Sequence, residues 1–494
     1  MSINLRQSEN NVVRNKSPQL TKLILTNWNL NESYDLRNIF TSLNIYSSID
    51  GILTSGDITV SEQGNLISQC PIDGREFIEI EFCSLEGQYE SFHRLFFVYA
   101  VDSLEESNDT RVYCIRFTDV FAVLNPDLRL SIKYEDKIEN IIKQIEKIFE
   151  NPESGNEEFK QILKNHNNIP TKESLFPFKT NNELSVETDY NMKFIVPLWK
   201  PLQVIDYLVD RALSKDSVSL QEDRFTDCVF FQNRKGEFVL TNYKKMFNTR
   251  LSTKYNKEIT FKKVIANIDT KETTTRNNSG LSEVKYAVQK YSLTNVFNNQ
   301  AQKLAGFFGF TDYITDFANA KCEPKTVLDE EIQSCIKRYG ISIKRQYPYQ
   351  TIRKSENPVF YYDVCGMNTG IDENEYQKFT LPYLKGKVIK QYLEHAKIII
   401  EMNGVSDIDI GKYVYIDLGK AEGNNSITQY VNDTKWIVSK YSHRFLPDGT
   451  FTTIVECFTP YINREHDVNQ TNTEQTVQRG NDMAVNVISS MITF

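Results

Sequence analysis

Gly56-Asp-Ile-Thr-Val60, Phe77-Ile-Glu-Ile-Glu-Phe82, His93-Arg-Leu-Phe-Phe-Val-Tyr-Ala100 and Arg111-Val-Tyr-Cys-Ile-Arg-Phe117 decide the fold class. In these stretches apolar and polar side chains alternate, which sends one set to each face of a β-strand. Turn residues separate them, among them Asp73-Gly74 and Ser107-Asn-Asp-Thr110. Strands at this spacing predict an antiparallel sheet, closed into a barrel or sandwich, over about 21–135.

Beyond it the period changes. Ile138, Ile141, Ile142, Ile145 and Ile148 recur at helical spacing, which predicts an amphipathic helix over 136–149, stopped by Asn151-Pro-Glu-Ser-Gly155. A polar connector follows, with a short helix expected near 159–164. A second helix starts at Lys200-Pro201 and runs to Leu213, with proline at a first-turn position where its missing N–H costs nothing. Then comes a hairpin, Asp227–Phe231 and Glu237–Leu240 around Asn233-Arg-Lys-Gly236. Residues 245–330 are polar and rich in Asn and Thr, and 265–282 read as an exposed loop.

Period two returns after about 385, in His395–Glu401, Lys412–Leu418, Lys435–Tyr441 and Thr450–Phe458. Pro447-Asp-Gly449 is a hairpin turn signal between the last two. The expected fold class is therefore β-rich α+β with several domains. Its parts are an N-terminal arm (1–20), a first β module with its following helix (21–150), a connector (151–187), a mixed α/β middle (188–384), a second set of barrel strands (385–460) and a C-terminal arm (461–494).

The chain has 494 residues, with 57 Lys and Arg against 65 Asp and Glu, a formal charge of −8. Nothing here supplies the clustered positive charge of a duplex-binding face. Hydrophobic residues at 40% and charged residues at 25% exclude wholesale disorder. The 30 Phe and 26 Tyr against 20 Gly and 14 Pro favour strands and interfaces over tight turns. Cysteines at 70, 83, 114, 228, 322, 335, 365 and 457 form no CxxC pair and read as buried, reduced thiols. The N-terminus has no apolar signal region, and the longest apolar run, Leu95–Val101, is far short of the roughly 20 residues that cross a bilayer.

No constellation for catalysis, cofactor binding or metal ligation stands out. Histidines 93, 166, 395, 443 and 466 are scattered, without HExxH or Cys/His spacing. No GxSxG or Walker A sequence occurs, and Gly366 and Gly370 alone make no phosphate loop. Asp407, Asp409 and Asp417 lack EF-hand spacing and read as solvated turn carboxylates, while Glu79 and Glu81 read as a strand's polar face. Lys435-Trp436 and Lys440-Tyr441, near His443-Arg444, read as cross-strand packing rather than a base-stacking platform.

Three collinear stretches resemble the baseplate hub (tail hub) proteins of contractile-tailed bacteriophages, related to the hub part of type VI secretion spikes. The first is Gly56–Val60, Asn65-Leu-Ile67, Pro71-Ile-Asp-Gly-Arg-Glu76 and Ile78–Phe82. The second is Phe96–Tyr99 with Tyr113–Asp119 and the helix at 136–149. The third is Ile195-Val-Pro-Leu-Trp-Lys-Pro201 with its helix and Val229-Phe-Phe-Gln-Asn-Arg-Lys-Gly236, the most specific of them. Ile408–Ile416, Trp436–Ser439 and Thr453–Glu456 are similar to the closing barrel strands; residues 245–385 carry little of the likeness.

The resemblance implies two tail-tube-like β-barrel modules per subunit and a homotrimer forming a pseudo-sixfold ring. That ring would join the hexameric tail tube to the trimeric central spike in the virion's tail baseplate, assembled in the host cytoplasm. The terminal arms would meet baseplate wedge or other tail proteins, and the lumen would hold the tape-measure protein or pass DNA without sequence-specific contacts. No enzymatic activity, cofactor or membrane span is implied. The alternative from another class is a tail-associated carbohydrate-binding or cell-wall-degrading protein, which would need an acidic pair in a cleft lined by Trp or Tyr. The tryptophans stand only at 28, 199 and 436.

Overall fold

A computed structural model describes residues 18–27, 32–63, 72, 74, 76–84, 90–107, 110–150, 186–215, 224–253, 255, 257–263, 286–294, 306, 309–316, 321–337, 360–364, 380–419, 431–432 and 434–460. Both terminal arms beyond residues 18 and 460, nearly all of the connector, the helix expected at 159–164, the loop at 265–282 and Gly366/Gly370 lie outside the described residues.

The N-terminal strands are β1 (Gln19–Thr26), β2 (Ser33–Asp35), β3 (Phe40–Ser48), β4 (Ser55–Glu62), β5 (Phe77–Cys83), β6 (Phe92–Ser107) and β7 (Thr110–Thr118). Next come α1 (Val120–Leu124), β8 (Lys133–Lys137), α2 (Ile138–Glu150), β9 (Asn191–Ile195) and α3 (Pro201–Asp210). The hairpin β10 (Cys228–Gln232) and β11 (Phe238–Asn242) leads to α4 (Tyr243–Asn248), β12 (Thr260–Lys263), β13 (Ala287–Thr294), β14 (Gly309–Asp316), β15 (Lys321–Leu328), α5 (Asp329–Lys337) and β16 (Phe360–Val364). The chain closes with α6 (Leu381–Leu393), β17 (Ala396–Asn403), β18 (Tyr413–Asp417), β19 (Lys435–Phe445) and β20 (Phe451–Thr459).

One sheet of 13 strands runs in the order β18-β12-β13-β17-β20-β19-β3-β4-β7-β6-β5-β1-β2. A further ladder between β18 and β19 closes the first six strands into a barrel. Closure matters because it removes two sheet edges that would otherwise expose unpaired backbone groups. β12 lies parallel to both β13 and β18, whereas the other barrel ladders are antiparallel. The barrel thus takes two strands from 260–294, within the stretch read as a mixed middle; period-two reading missed β12 because it is only four residues long, and β13 because a register shift after Val288 breaks its alternation. The helix α6 also occupies 381–393, where strands were expected to resume.

β19 is the spine of the molecule. Its first part pairs with β18, and from Lys440 to Phe445 it pairs with β3 (Lys440 with Ser48, Phe445 with Leu43) while β20 lies on its other side. The stretch Lys440–Phe445 therefore belongs to both β modules at once. The β19–β20 turn has Gly449 at φ 80°, with Leu446 N donating to Thr450 O at 3.0 Å and Gly449 N to Leu446 O at 3.1 Å, as the Asp-Gly signal predicted. Beyond that turn Phe445 stacks on Phe451 at 4.0 Å, and both enter the core of the N-terminal strands beside Phe82.

Three hydrophobic cores result. One fills the barrel, one lies under α1–α3, and one lies within the N-terminal strands. All ten residues of the β10–β11 hairpin are buried because its faces serve different cores. Val229, Phe231 and Val239 pack with the barrel; Cys228, Phe230, Phe238 and Leu240 pack with the helices. α2 and α3 supply that second core from their apolar stripes, Ile138, Ile141, Ile142 and Ile145 on one and Val204, Ile205, Leu208 and Val209 on the other. Lys200 offers no side-chain cap to α3; Asn125 caps it from a distance, its Oδ1 accepting from Leu202 N at 2.9 Å.

The free thiols divide. Cys228, Cys335 and Cys457 are buried as expected, Cys83 and Cys114 are half-buried, and Cys322 is exposed because β15 is the edge of a three-stranded sheet. Cys70 and Cys365 lie outside the described residues.

Gly404, after β17, is a packing glycine rather than a turn glycine: a Cβ there would lie 2.0 Å from the Phe451 ring. Gly404→Ala is expected to cost about 1–3 kcal/mol by overpacking, read as a lowered denaturant midpoint with unchanged slope. A midpoint equal to wild type would show that the β20 turn shifts freely, against the packing described above.

Candidate functional site: a buried polar junction between the β modules

The turn of the β10–β11 hairpin, Asn233-Arg-Lys-Gly236, is where the three cores meet. Gly236 holds φ 82° and donates to Asn233 O at 2.9 Å; a side chain there would press on the Arg94 guanidinium at 3.3 Å. A left-handed, crowded position of this kind selects glycine on both counts.

On one side of the turn lies Arg94 of β6, only 7% exposed. Its guanidinium donates to Thr54 Oγ1 at 2.7 Å, Asp119 Oδ2 at 2.7 Å and Gln232 Oε1 at 2.8 Å. Gln232 Nε2 in turn donates to Asp119 Oδ2 at 3.0 Å and Gly236 O at 2.9 Å. Asp119 Oδ1 caps α1 by accepting from Phe121 N. A buried cation, a buried carboxylate and an amide thus satisfy one another, which is the condition for tolerating charge in a core.

On the other side Arg234, 7% exposed, pairs with Glu90 and donates to Ser406 O at 2.9 Å. Its backbone N–H donates to Asp409 Oδ1 at 3.1 Å. Asp407 accepts from Glu90 N at 2.7 Å and from Tyr286 OH at 3.1 Å, and Ser406 Oγ donates to Glu90 O at 2.6 Å. The loop 404–412, the hairpin turn and the start of β6 are stapled together by these bonds.

This corrects the reading of two carboxylates as solvated turn residues. Asp407 is 5% exposed and Asp409 sits beside Lys412 at 3.5 Å; both are fixed acceptors in the junction. Asp417 is a local turn acceptor, for Gly419 N at 2.9 Å. Spacing along the chain carries no signal that a carboxylate will receive a backbone N–H from more than 300 residues away.

The other singled-out residues are dispersed. Glu79 meets Lys22 at 2.9 Å and His93 at 2.7 Å across neighbouring strands, and those partners hold its carboxyl below the usual range. His395 is buried at the start of β17. His166 and His466 lie outside the described residues. Trp436 is fully buried, donating to Val431 O at 3.1 Å; Trp199 packs edge-on to Tyr207 at 5.1 Å; Trp28 lies outside the described residues. Among the described residues no group of three His, Cys, Asp or Glu is placed to hold a metal ion, and no helix is long and apolar enough to cross a membrane.

His443 is the most unusual of the described histidines. It is fully buried on β19, opposite Ile45 of β3 and Thr453 of β20, ringed by Phe82, Phe92, Tyr441 and Phe451. Nδ1 lies 3.1 Å from Thr453 Oγ1, and that hydroxyl already donates to Val405 O, so the bond balance assigns the proton to Nδ1. Nε2 faces the rings without a partner. Desolvation, with the nearby Arg234 charge, depresses its pKa to about 3.

The resemblance read from the three stretches is borne out by a relative. Over 437 residues the chain is 22% identical to the "Probable baseplate hub protein" of Vibrio phage KVP40, covering 85% of this chain and 89% of that protein. Among solved structures, the 43 kDa tail protein of prophage MuSo2 from Shewanella oneidensis has a TM-score of 0.47 at 11% identity, covering 89% of this chain and 98% of that one. A tail protein from Neisseria meningitidis has a TM-score of 0.45 at 9% identity, covering 88% and 96%. No protein-family model matches the chain.

Proposed function

We propose that this chain, similar to a phage baseplate hub protein, is a structural, non-enzymatic subunit of a phage tail baseplate. In this reading three copies form a pseudo-sixfold ring that joins the tail tube to the central spike. The observation that carries it is β19, which makes two β modules one continuous sheet and so fixes them side by side as a single body. Two tube-like modules per chain give six around a threefold axis, the count needed to meet a hexameric tube above and a trimer below. The buried polar junction serves this role by locking the angle between the modules.

The polar face of the sheet fits a channel wall. Its carboxylates have cross-strand cations: Glu79 with Lys22, Asp102 with Arg116 at 2.5 Å, Glu401 with Lys290 at 3.4 Å, and Glu456 with both Lys397 and Lys440 at 3.5 Å. Cations engaged in this way pull less on phosphate, which suits a wall that must not trap passing DNA.

The test is solution mass by light scattering, with and without the tube and spike partners. The expected result is three chains, with further mass gained on adding either partner. A stable monomer indifferent to both sinks the reading.

A further inference from the structure

The end of the β8–β9 ribbon holds apolar side chains out in water. Ile195 is 69% exposed and Leu198 64% exposed. Leu198 has φ 57°, a left-handed conformation that costs a bulky residue of order 1 kcal/mol or more. The segment is not loose: Val196 N donates to Ile132 O at 3.0 Å and Leu130 N to Trp199 O at 2.9 Å, with Trp199 packed on Tyr207. The subunit itself gains nothing from a strained, anchored leucine facing solvent. Around it the ground is basic, because Lys133 and Lys193, each about two-thirds exposed, share one carboxylate, Glu135.

A complementary patch lies elsewhere on the same chain. Leu328, 53% exposed, ends β15, and its N–H donates to Glu331 Oε1 at 3.3 Å. Glu330, which is exposed, and Glu331, which also pairs with Lys385 at 2.8 Å, make the start of α5 acidic. The other exposed isoleucine on a strand, Ile399, stands instead between Lys397 and Glu401, on neutral ground.

We propose that the ribbon end around Leu198 contacts a second copy of this chain at Leu328 and the acidic start of α5. Two different patches meeting make a head-to-tail contact, which closes into a ring when the rotation allows. The inference rests on the ring reading above and names the surfaces that would build it. Opposite charges at the rim align the two copies while the leucines and Ile195 exclude water.

The test uses the full-length chain and three variants, Leu198→Asp, Leu328→Lys and the two combined. Both positions are exposed, so circular dichroism should match wild type. Each single variant should weaken association about 30-fold or more, dropping the light-scattering mass from three chains to one at micromolar concentration. The combined variant sets the new carboxylate against the new ammonium and should recover the trimer. A trimeric wild type whose single variants keep their mass, or whose combined variant stays monomeric, overturns this contact and leaves the ring reading standing. A monomeric wild type overturns both.

Discussion

Arg94→Ala is expected to lower the free energy of unfolding by about 3–5 kcal/mol, the range for breaking one partner of a buried ion pair. The reason is what stays behind. Asp119 Oδ2 would keep Gln232 Nε2 but lose the buried Arg94 cation, and Thr54 Oγ1 and Gln232 Oε1 would lose their charged donor. The guanidinium also lies 4.8 Å from the Phe96 ring centroid, so its removal leaves a void against an aromatic face. Asp119→Ala should be comparably costly, and Arg94→Ala combined with Asp119→Ala should cost clearly less than the two added, because the orphaned charge is gone. Denaturant melts of the four proteins make the measurement. Additive losses, or a loss below about 1 kcal/mol for Arg94→Ala, would show that the junction is solvated in solution.

His443→Phe is expected to flatten the acid side of the stability profile. In the unfolded chain this histidine takes up a proton near pH 6.5; in the folded chain it does so only near pH 3. Between those values the unfolded state binds the extra proton, so wild-type stability is full above pH 6.5 and falls as pH drops toward 3. At about 1.4 kcal/mol per pH unit, the loss across the window is on the order of 5 kcal/mol. Phenylalanine fits a site already lined by Phe82, Phe92 and Phe451, and Thr453 Oγ1 keeps its bonds to Val405 N and O. Carboxylates such as Glu79 titrate in both proteins, so the difference between the two profiles isolates the histidine. Parallel profiles between pH 6.5 and 3 would mean that His443 protonates without disturbing the seam between β19 and β3.

Strand positions were the most readable part of the fold. β5, β7, β17 and β20 alternate so regularly that hydrophobic period alone placed them, and Asp448-Gly449 marked its turn because few other residues tolerate φ near 80°. β12 and α6 were not readable: the first is too short to show a period, and the second buries Lys385 and Gly386 among its apolar residues, which blurs its stripe. Lys385 pairs with Glu331 at 2.8 Å, a partner from α5 that no local pattern announces.

The aromatic richness and the Asn-Arg-Lys-Gly turn stood out in the sequence, but their use did not. Alternation determined which side chains leave each strand on which face, since that depends only on neighbours along the chain. Which strands share a sheet, that six of them close into a barrel, and that Arg94, Arg234, Asp407 and Asp409 converge on one hairpin turn are decided by contacts between residues hundreds of positions apart, Leu43 with Phe445 and Glu90 with Asp407 among them. Burial makes those contacts obligatory, because a charge withdrawn from water must find its partner wherever the tertiary structure brings one.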